Sequence, residues 1–596
     1  MKNLRIGFAI AGLGLMLSSC GMFKTKEVPF EMDYSVNLND RSNDTFKVSL
    51  EVSGLKEEEN IFQFASTAPG TYQVMNIGRY VSNFKAFDSK GNSLLVTPLG
   101  INQYRIAKTP ELAKITYEIA ETWDTKVEKN PIYEMCGTSI EEDHVLINGQ
   151  GVFGYFLGKQ SSPMSIDIDY PSSWKVGTAM SKDAEGDYIA TSYDYLVDSP
   201  ILLGNLTRAS KMVEQTEVEV YTYSKTGLIN SSEVLEDMND MLFAASKFVD
   251  GLPVNRYTFL YLFEDRTAGA WEHSYSSEYI YAEGPWEQIG QGVVETAAHE
   301  FFHVITPLNI HSEIIQEFNF VTPVPSQHLW LYEGTTEWAS HMMLLQDGLT
   351  TLDDYLGMLH QKVQTDKSFY DPNYSLVELA LNSYSEDGQR QYGNIYMRGA
   401  LVAGLLDLKL LDLSNGSLGL RDLMNKLSKV YGPNTPFDEA TFFQTVTDMT
   451  YPEIGEFINA YIKGTEKLPF KELYATVGIN YEEELVNPEI SSLNLSLYPT
   501  GRGMYVIQDK GDLKRGDFIL AVDGKAYTNA TAQQVNEALA GQAVGSTVKL
   551  SLVRQEKQVE LEVSTEAQVD KDLFELMKNP TKAQQKRQEI WKSPKQ

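Results

Sequence analysis

His299-Glu300-Phe301-Phe302-His303 constrains the fold more than any other stretch of this chain. Two imidazoles four positions apart lie one turn from each other on the same face of an α-helix, so both can reach one metal ion. Glu300 points to a neighbouring sector of that helix, near the ion without having to bind it. The flanks predict a helix over 286–305, with Pro285 and Pro307 suited to its start and stop. Val293, Val294, Ala297, Ala298, Phe301, Phe302 and Val304 give it a mostly apolar surface, as in a helix buried within a large domain. Histidines on such a helix are costly to desolvate without partners, and a metal is such a partner. Two ligands plus a carboxylate that accepts a proton from metal-bound water are the parts of zinc-dependent peptide hydrolysis. The bland alternative is a pair of surface histidines. With only 8 His in 596 residues, chance seldom produces this pattern.

A zinc site of this kind needs a third protein ligand. A metzincin would have a glycine three places and a histidine six places after His303, but Thr306 and Asn309 stand there and His311 is out of step. The gluzincin alternative takes a Glu from a second helix downstream. Glu333, in Leu329-Trp330-Leu331-Tyr332-Glu333-Gly334-Thr335-Thr336-Glu337-Trp338, lies 30 positions beyond His303 and opens a helical pattern through Ala339, Met342, Met343 and Leu344. Glu337, one turn later, is placed to hydrogen-bond a ligand histidine, with a solvated helix charge as the alternative.

His-Glu-Phe-Phe-His followed by Trp-x-x-Glu-Gly-x-Thr resembles the glycyl aminopeptidases, metallopeptidase family 61 of the gluzincins, which often carry a PDZ domain. Gly269-Ala270-Trp271-Glu272-His273-Ser274-Tyr275-Ser276 resembles the family's Gly-x-x-Glu-His-x-x-Ser segment. The resemblance implies that Glu272 grips the substrate's α-amine and that Gly269 and Ala270 belong to the substrate-binding strand. Tyr396-Met397-Arg398-Gly399-Ala400 is similar to Tyr-x-Lys-Gly-Ala, which implies that Tyr396 stabilises the tetrahedral intermediate, with Tyr392 one turn earlier as the fallback. Pro69-Gly70-Thr71-Tyr72 and Gly78-Arg79-Tyr80-Val81 match the family's N-terminal patterns. The likeness runs from about residue 28 to 566. It departs after His303, where Ile305-Thr306-Pro307-Leu308-Asn309-Ile310-His311 lacks the family's basic residues.

Composition excludes one class of partner. A net charge of −31 leaves no basic surface to displace phosphate counterions, so nucleic acid is not expected. At the N-terminus, Lys2 and Arg5 precede an apolar run, Ile6 to Leu17, too short to span a membrane. It ends in Leu17-Ser18-Ser19-Cys20, which resembles a bacterial lipoprotein box: a signal peptide over 1–19, with Cys20 lipidated as the mature N-terminus. This predicts an envelope protein anchored to a membrane through lipid on Cys20, facing the periplasm or the surface; a soluble secreted protein is the alternative. Cys136 is the only other cysteine, has no metal-ligand spacing and reads as a buried thiol.

The mature chain predicts a multidomain α+β protein. Alternating runs such as Phe46 to Val52 predict an all-β sandwich over 28–212. Helices dominate 213–478, and the order of strand, zinc helix and glutamate helix suits a thermolysin-like catalytic domain whose edge strand binds substrate backbone. Gly516-Asp517-Phe518-Ile519-Leu520-Ala521-Val522-Asp523-Gly524 closely resembles the PDZ signature within a β-rich 490–566, with a helix expected over 532–539 and Gly501-Arg502-Gly503-Met504 as the carboxylate loop. Such a domain can bind a peptide as an added strand, or serve structure alone. A charged tail, 567–596, reads as a helix or a disordered end.

These readings predict a zinc-dependent aminopeptidase. One Zn2+ per chain is held by His299, His303 and Glu333, Glu300 is the proton acceptor, and the substrates are peptides with a free N-terminus. Small N-terminal residues, Gly or Ala, are implied by the resemblance alone. A zinc endopeptidase using the same site is the second reading, and a lipid-anchored, non-catalytic peptide-binding protein the third. An intact Glu300 counts against the third, since a binder needs no proton acceptor beside the metal.

Overall fold

A computed structural model describes residues 28–266, 268–526 and 542–593. Cys20 and the leader before it lie outside these residues, as does the helix expected over 532–539. The protein is a mixed α+β chain of several domains. No helix among the described residues is long and apolar enough to cross a membrane.

The N-terminal domain follows from alternation. In Thr45–Ser53 every second residue is buried, so Phe46, Val48, Leu50 and Val52 turn to one face of an eight-stranded sheet. A four-stranded sheet packs on that face: Phe62 and Phe64 meet Tyr117 with ring centroids 6.3 and 5.1 Å apart. Tyr34 and Tyr117 are fully buried, yet their hydroxyls donate to the carbonyls of Gly154 and Val152. A further four-stranded sheet carries Leu146 and Leu202, which pack with Leu260, Leu262 and Ile280 and so fasten this domain to the next.

The catalytic sheet has five strands: β1 (Thr207–Val213), β2 (Thr216–Ser224), β3 (Arg256–Glu264), β4 (Gly269–Glu272) and β5 (Ser276–Ala282). Their order is β1-β2-β3-β5-β4, which leaves β4 at the edge, antiparallel to β5. β3 is central, parallel to both neighbours, and all of it but Arg256 is buried, so it reads as an unbroken apolar run. The boundary expected at 212/213 is corrected here. β1 pairs with β2 from Thr207 to Val213 and belongs to the catalytic sheet. β1 is exposed or half-buried in all but its last residue, so its polar sequence carries no pattern that assigns it to either side.

Helix α1 (Ser231–Phe248) is capped by Asn230, whose side chain accepts from the backbone N–H of Ser232 and Glu233. Helix α2 (Trp286–Phe302) lays Phe301 against Tyr257 and Phe259 of β3, at 4.8 and 5.6 Å between ring centroids. It ends slightly before the expected 305, with His303 as its C-cap. The remaining helices that position the site are α3 (Thr335–Gln346), α4 (Leu352–Phe369) and the almost wholly buried α5 (Asn394–Leu413).

Two long strands, β6 (Ile479–Ser492) and β7 (Glu566–Leu576), form an antiparallel ribbon, and the PDZ domain is inserted between them. In that domain Thr500 pairs directly with Gly503, so the expected carboxylate loop is a tight hairpin turn. The tail expected over 567–596, as a helix or a disordered end, is corrected in its first part and is a helix in its last. Its first part is β7, and helix α6 (Lys582–Lys592) returns to the catalytic domain. Trp591, 2% exposed, anchors it against Tyr355 and Tyr474, at 5.7 and 6.4 Å between ring centroids.

Candidate active site

Helices α2 and α3 bring three side chains to one point. His299 Nε2 and His303 Nε2 lie 3.4 and 3.6 Å from the same oxygen, Glu333 Oε2. The donor atoms of these three residues all fall within 4.8 Å of one another, and all three are buried. Glu333 sits in a π-helical turn, Trp330–Gly334, that leads into α3. That turn can press against α5 only because two glycines meet: a Cβ on Gly334 would stand 2.9 Å from the backbone of Gly399. The glycines of Glu-Gly-Thr and Arg-Gly-Ala thereby set the depth of the carboxylate.

Each imidazole has its other nitrogen engaged. His299 Nδ1 lies 2.7 Å from Glu337 Oε2, and His303 Nδ1 lies 2.8 Å from the Thr306 carbonyl. A carbonyl can only accept, so His303 carries its proton on Nδ1 and turns the Nε2 lone pair inward. Glu337 does the same for His299 and is held in turn. Lys362 of α4 donates to Glu337 Oε1 at 2.5 Å and to the Tyr396 carbonyl at 3.3 Å, and His341 Nε2 lies 3.2 Å from Oε1. Sequence reasoning missed Lys362 and the Thr306 carbonyl. A signal for Lys362 exists: Tyr355, Leu359, Lys362 and Asp366 share the buried face of α4, an odd place for a lysine without a buried partner.

Burial dominates the electrostatics. It acts to lower the His299 pKa, but hydrogen bonds that the imidazole donates to Glu333 and Glu337 outweigh it and hold that pKa well above its ordinary value. Burial lowers His303 to about 4, against the attraction of Glu333. Glu300 is pushed up to about 7 by burial, with Glu333 and Glu337 adding and His299 opposing. Burial opposes ionisation of Glu337 too, but Lys362 and His299 overcome it and keep its carboxyl well below the usual range. Two imidazoles and a carboxylate, buried and convergent, with the second ring nitrogens already satisfied, fit a zinc ion.

The other end of the site joins two domains. Alternation along β4 turns Trp271 to the N-terminal domain, where its indole donates to the Pro69 carbonyl at 3.2 Å. Ala270 and Glu272 turn the other way, and Glu272, Glu300 and His303 can bring an atom each within 4.8 Å of one another. Burial, Glu333 and Glu300 raise the Glu272 pKa well above its ordinary value, so the pocket disfavours a negative charge without a cation beside it. Gly70 presses on this group: with φ +73°, a Cβ there would stand 2.5 Å from Glu272 Oε1 and 2.7 Å from Trp271 Nε1. Tyr72 packs on Tyr392 and Tyr384, at 5.2 and 6.0 Å between ring centroids. Tyr396, on α5, lies 5.5 Å from His299 and 6.0 Å from Tyr392 by ring centroids. Burial raises both phenols well above their ordinary range, so each is a neutral donor.

Fold and site together define a zinc metallopeptidase. The peptidase M61 N-terminal domain matches residues 33–205, M61 glycyl aminopeptidase matches 292–402, and a PDZ domain matches 506–565. The chain thus carries both M61 peptidase domains, followed by a PDZ domain. Among solved structures it is similar to an aminopeptidase N family protein from Idiomarina loihiensis, with 19% identity, TM-score 0.74, and coverage of 94% of this chain and 100% of that one. An M1 zinc metallopeptidase from Deinococcus radiodurans aligns at 12% identity and TM-score 0.46, over 74% of this chain and 94% of that one. Among curated proteins none matches.

Proposed function

We propose that the protein is an aminopeptidase that removes single N-terminal residues from peptides, with one zinc ion held by His299, His303 and Glu333. The observation that carries this reading is the half-buried Glu272 beside the buried Glu300 and His303, walled by Gly70 of another domain. A half-buried carboxylate with no ion-pair partner among the described residues is a seat for the substrate's ammonium. It measures one residue from the group that handles the proton.

When bound, zinc supplies a Lewis acid that polarises the scissile carbonyl and eases deprotonation of water. Glu300 accepts the proton of the attacking water on its carboxylate and passes it to the departing amine. Tyr396 donates its hydroxyl hydrogen to the oxygen on which negative charge develops, with Tyr392 behind it. Glu337 and the Thr306 carbonyl keep both imidazoles turned inward. Gly269 and Ala270 offer edge-strand backbone to the peptide, the ordinary way an extended chain joins a sheet. A preference for N-terminal Gly or Ala rests on the family's description as glycyl aminopeptidases. We propose further that lipid on Cys20 anchors the enzyme in the cell envelope, and that its PDZ domain takes a second peptide. Replacing Cys20 by Ser should then abolish partition into detergent, and an unmodified native N-terminus other than Cys20 would remove the anchor.

The test of the main reading is a panel of free and N-acetylated peptides. Release of the first residue from free peptides, with little attack on acetylated ones, is the expected result. Equal cleavage of both would shift the reading to an endopeptidase.

A further inference from the structure

Where β4 begins, at the far end of this strand from Glu272, lies a cavity of about 840 Å³. Gly269, Tyr72 and Tyr392 line its near side, so it is continuous with the amine end of the site. Its far wall is residues 122–135 of the N-terminal domain, which contribute Trp123, Val127, Ile132 and Met135. That wall is braced before any ligand arrives. Glu121 accepts from the backbone N–H of Trp123 and Asp124 at 2.6 and 2.8 Å, and the Trp123 indole donates to the Glu134 carbonyl at 3.0 Å. Arg79 donates to the carbonyls of Lys129 and Asn130 at 2.7 and 2.6 Å, and Asn148 donates to that of Met135 at 3.2 Å. Asp124, Lys126 and Glu134 also line it, but the cavity is mostly apolar, and such a preformed pocket binds without first being ordered.

The direction of a bound peptide follows from the same geometry. Glu272 fixes the ammonium end, and the Gly70 backbone with Trp271 closes the space around it. The body of the peptide therefore runs back along β4 toward Gly269. An extended chain advances about 3.3 Å per residue, so it is roughly 10 Å further on at the start of β4, about three residues from the ammonium. We infer that this cavity is a subsite for the third residue of the substrate and those following it, and that it selects a large apolar or aromatic side chain at the third position. The inference rests on the aminopeptidase reading and adds a second point of selection, away from the N-terminal residue.

The experiment compares kcat/KM for two free peptides, Ala-Ala-Phe-Gly and Ala-Ala-Gly-Gly, on zinc-loaded enzyme. The native Phe-to-Gly ratio should be on the order of tenfold, as for burying most of one aromatic side chain. Val127→Trp or Thr125→Trp, which fill the cavity from half-exposed positions, should bring the ratio to within about twofold of unity, on the same transfer scale. Because the ratio is taken within each enzyme, a loss of folded protein cancels. A native ratio near one, or a ratio that survives both substitutions, overturns the inference; so does an equal gain from Asp or Lys in place of Phe. If neither peptide loses its first residue, the aminopeptidase reading has failed and this inference with it. If both lose it at the same rate, the cavity inference alone has failed.

Discussion

The metal centre and the amine end of this site are a few ångströms apart and are built in opposite ways. At the metal centre, two helices close in sequence supply every ligand candidate, and each buried polar atom is tied to another: His299 to Glu337, Glu337 to Lys362, His303 to the Thr306 carbonyl. At the amine end, Glu272 meets a glycine from another domain, and hydrogen bonds such as Trp271 to the Pro69 carbonyl and Gln389 to the Tyr72 carbonyl link the two sides. Chemistry thus sits on a helical scaffold that local sequence specifies. The choice of which peptides enter sits at a domain contact, where change is less costly.

The largest effect should come from breaking the metal centre. Glu300→Gln keeps the zinc, because its side chain is not among the three convergent donors, but removes the proton acceptor. Activity should fall by roughly 10²- to 10⁴-fold, the range for loss of a positioned acid–base group. Glu333→Ala should lose most of the metal itself. Elemental analysis beside kcat/KM separates the two, and full zinc occupancy in Glu333→Ala would mean that the third ligand lies elsewhere.

Glu272→Gln strikes the amine end instead. Loss of a charge-assisted hydrogen bond at a partly desolvated site is worth about 1.5–3 kcal/mol, hence roughly 10- to 150-fold in kcat/KM. Zinc content should not change. N-acetylation should hurt the native enzyme badly and this variant little more, and a variant as sensitive to acetylation as the native enzyme would refute the role.

What the sequence made legible follows the same divide. The spacing of His299 and His303 is helical geometry, and Glu333 opens the next helical pattern, so that cluster needed no long-range information. The β-sandwich and the PDZ domain were legible because alternation and turn residues are local too. The contact of Gly70 with Glu272 spans about two hundred positions, and nothing in either segment names the other. β1 escaped because it is polar and exposed along almost its whole length, and only its pairing with β2 assigns it to the catalytic sheet. A helix was one of two readings of the tail, but its docking was not legible, because Trp591, Gln584, Arg587 and Gln588 find their partners far away in the chain. Lys362 was missed because its meaning depends on Glu337, a residue of another helix.

Lys362 sharpens the comparison from the metal side. Lys362→Met leaves the Glu337 carboxylate buried without its cation, so its pKa rises, it takes up a proton of its own more readily, and as a neutral acid it accepts less well from His299 and holds that ring less firmly. Zinc affinity should weaken by about tenfold, the lower end for residues that support metal ligands. Competition with a chromophoric chelator reads this directly, and Lys362→Arg should restore most of it. Unchanged affinity in Lys362→Met would show that Glu337 orients His299 unaided.

The smallest expected effect comes from the domain contact itself, through Gly70→Ala. The position has φ +73°, where a side chain costs about 1–2 kcal/mol, and the new methyl would stand 2.5 Å from Glu272 Oε1. Part of that cost should appear as a lower unfolding temperature. The rest should move the Glu272 carboxylate, since a side chain yields more readily than the backbone that carries it. With its charge kept but displaced, free peptides should lose about three- to tenfold in kcat/KM, roughly 0.7–1.4 kcal/mol, mostly through KM. Zinc content should stay the same, and the small activity on acetylated peptides should not follow, because those substrates make no ion pair with Glu272. If free and acetylated peptides decline in proportion, the strain has spread to the metal centre, and the two ends of the site are more tightly joined than their separate construction implies.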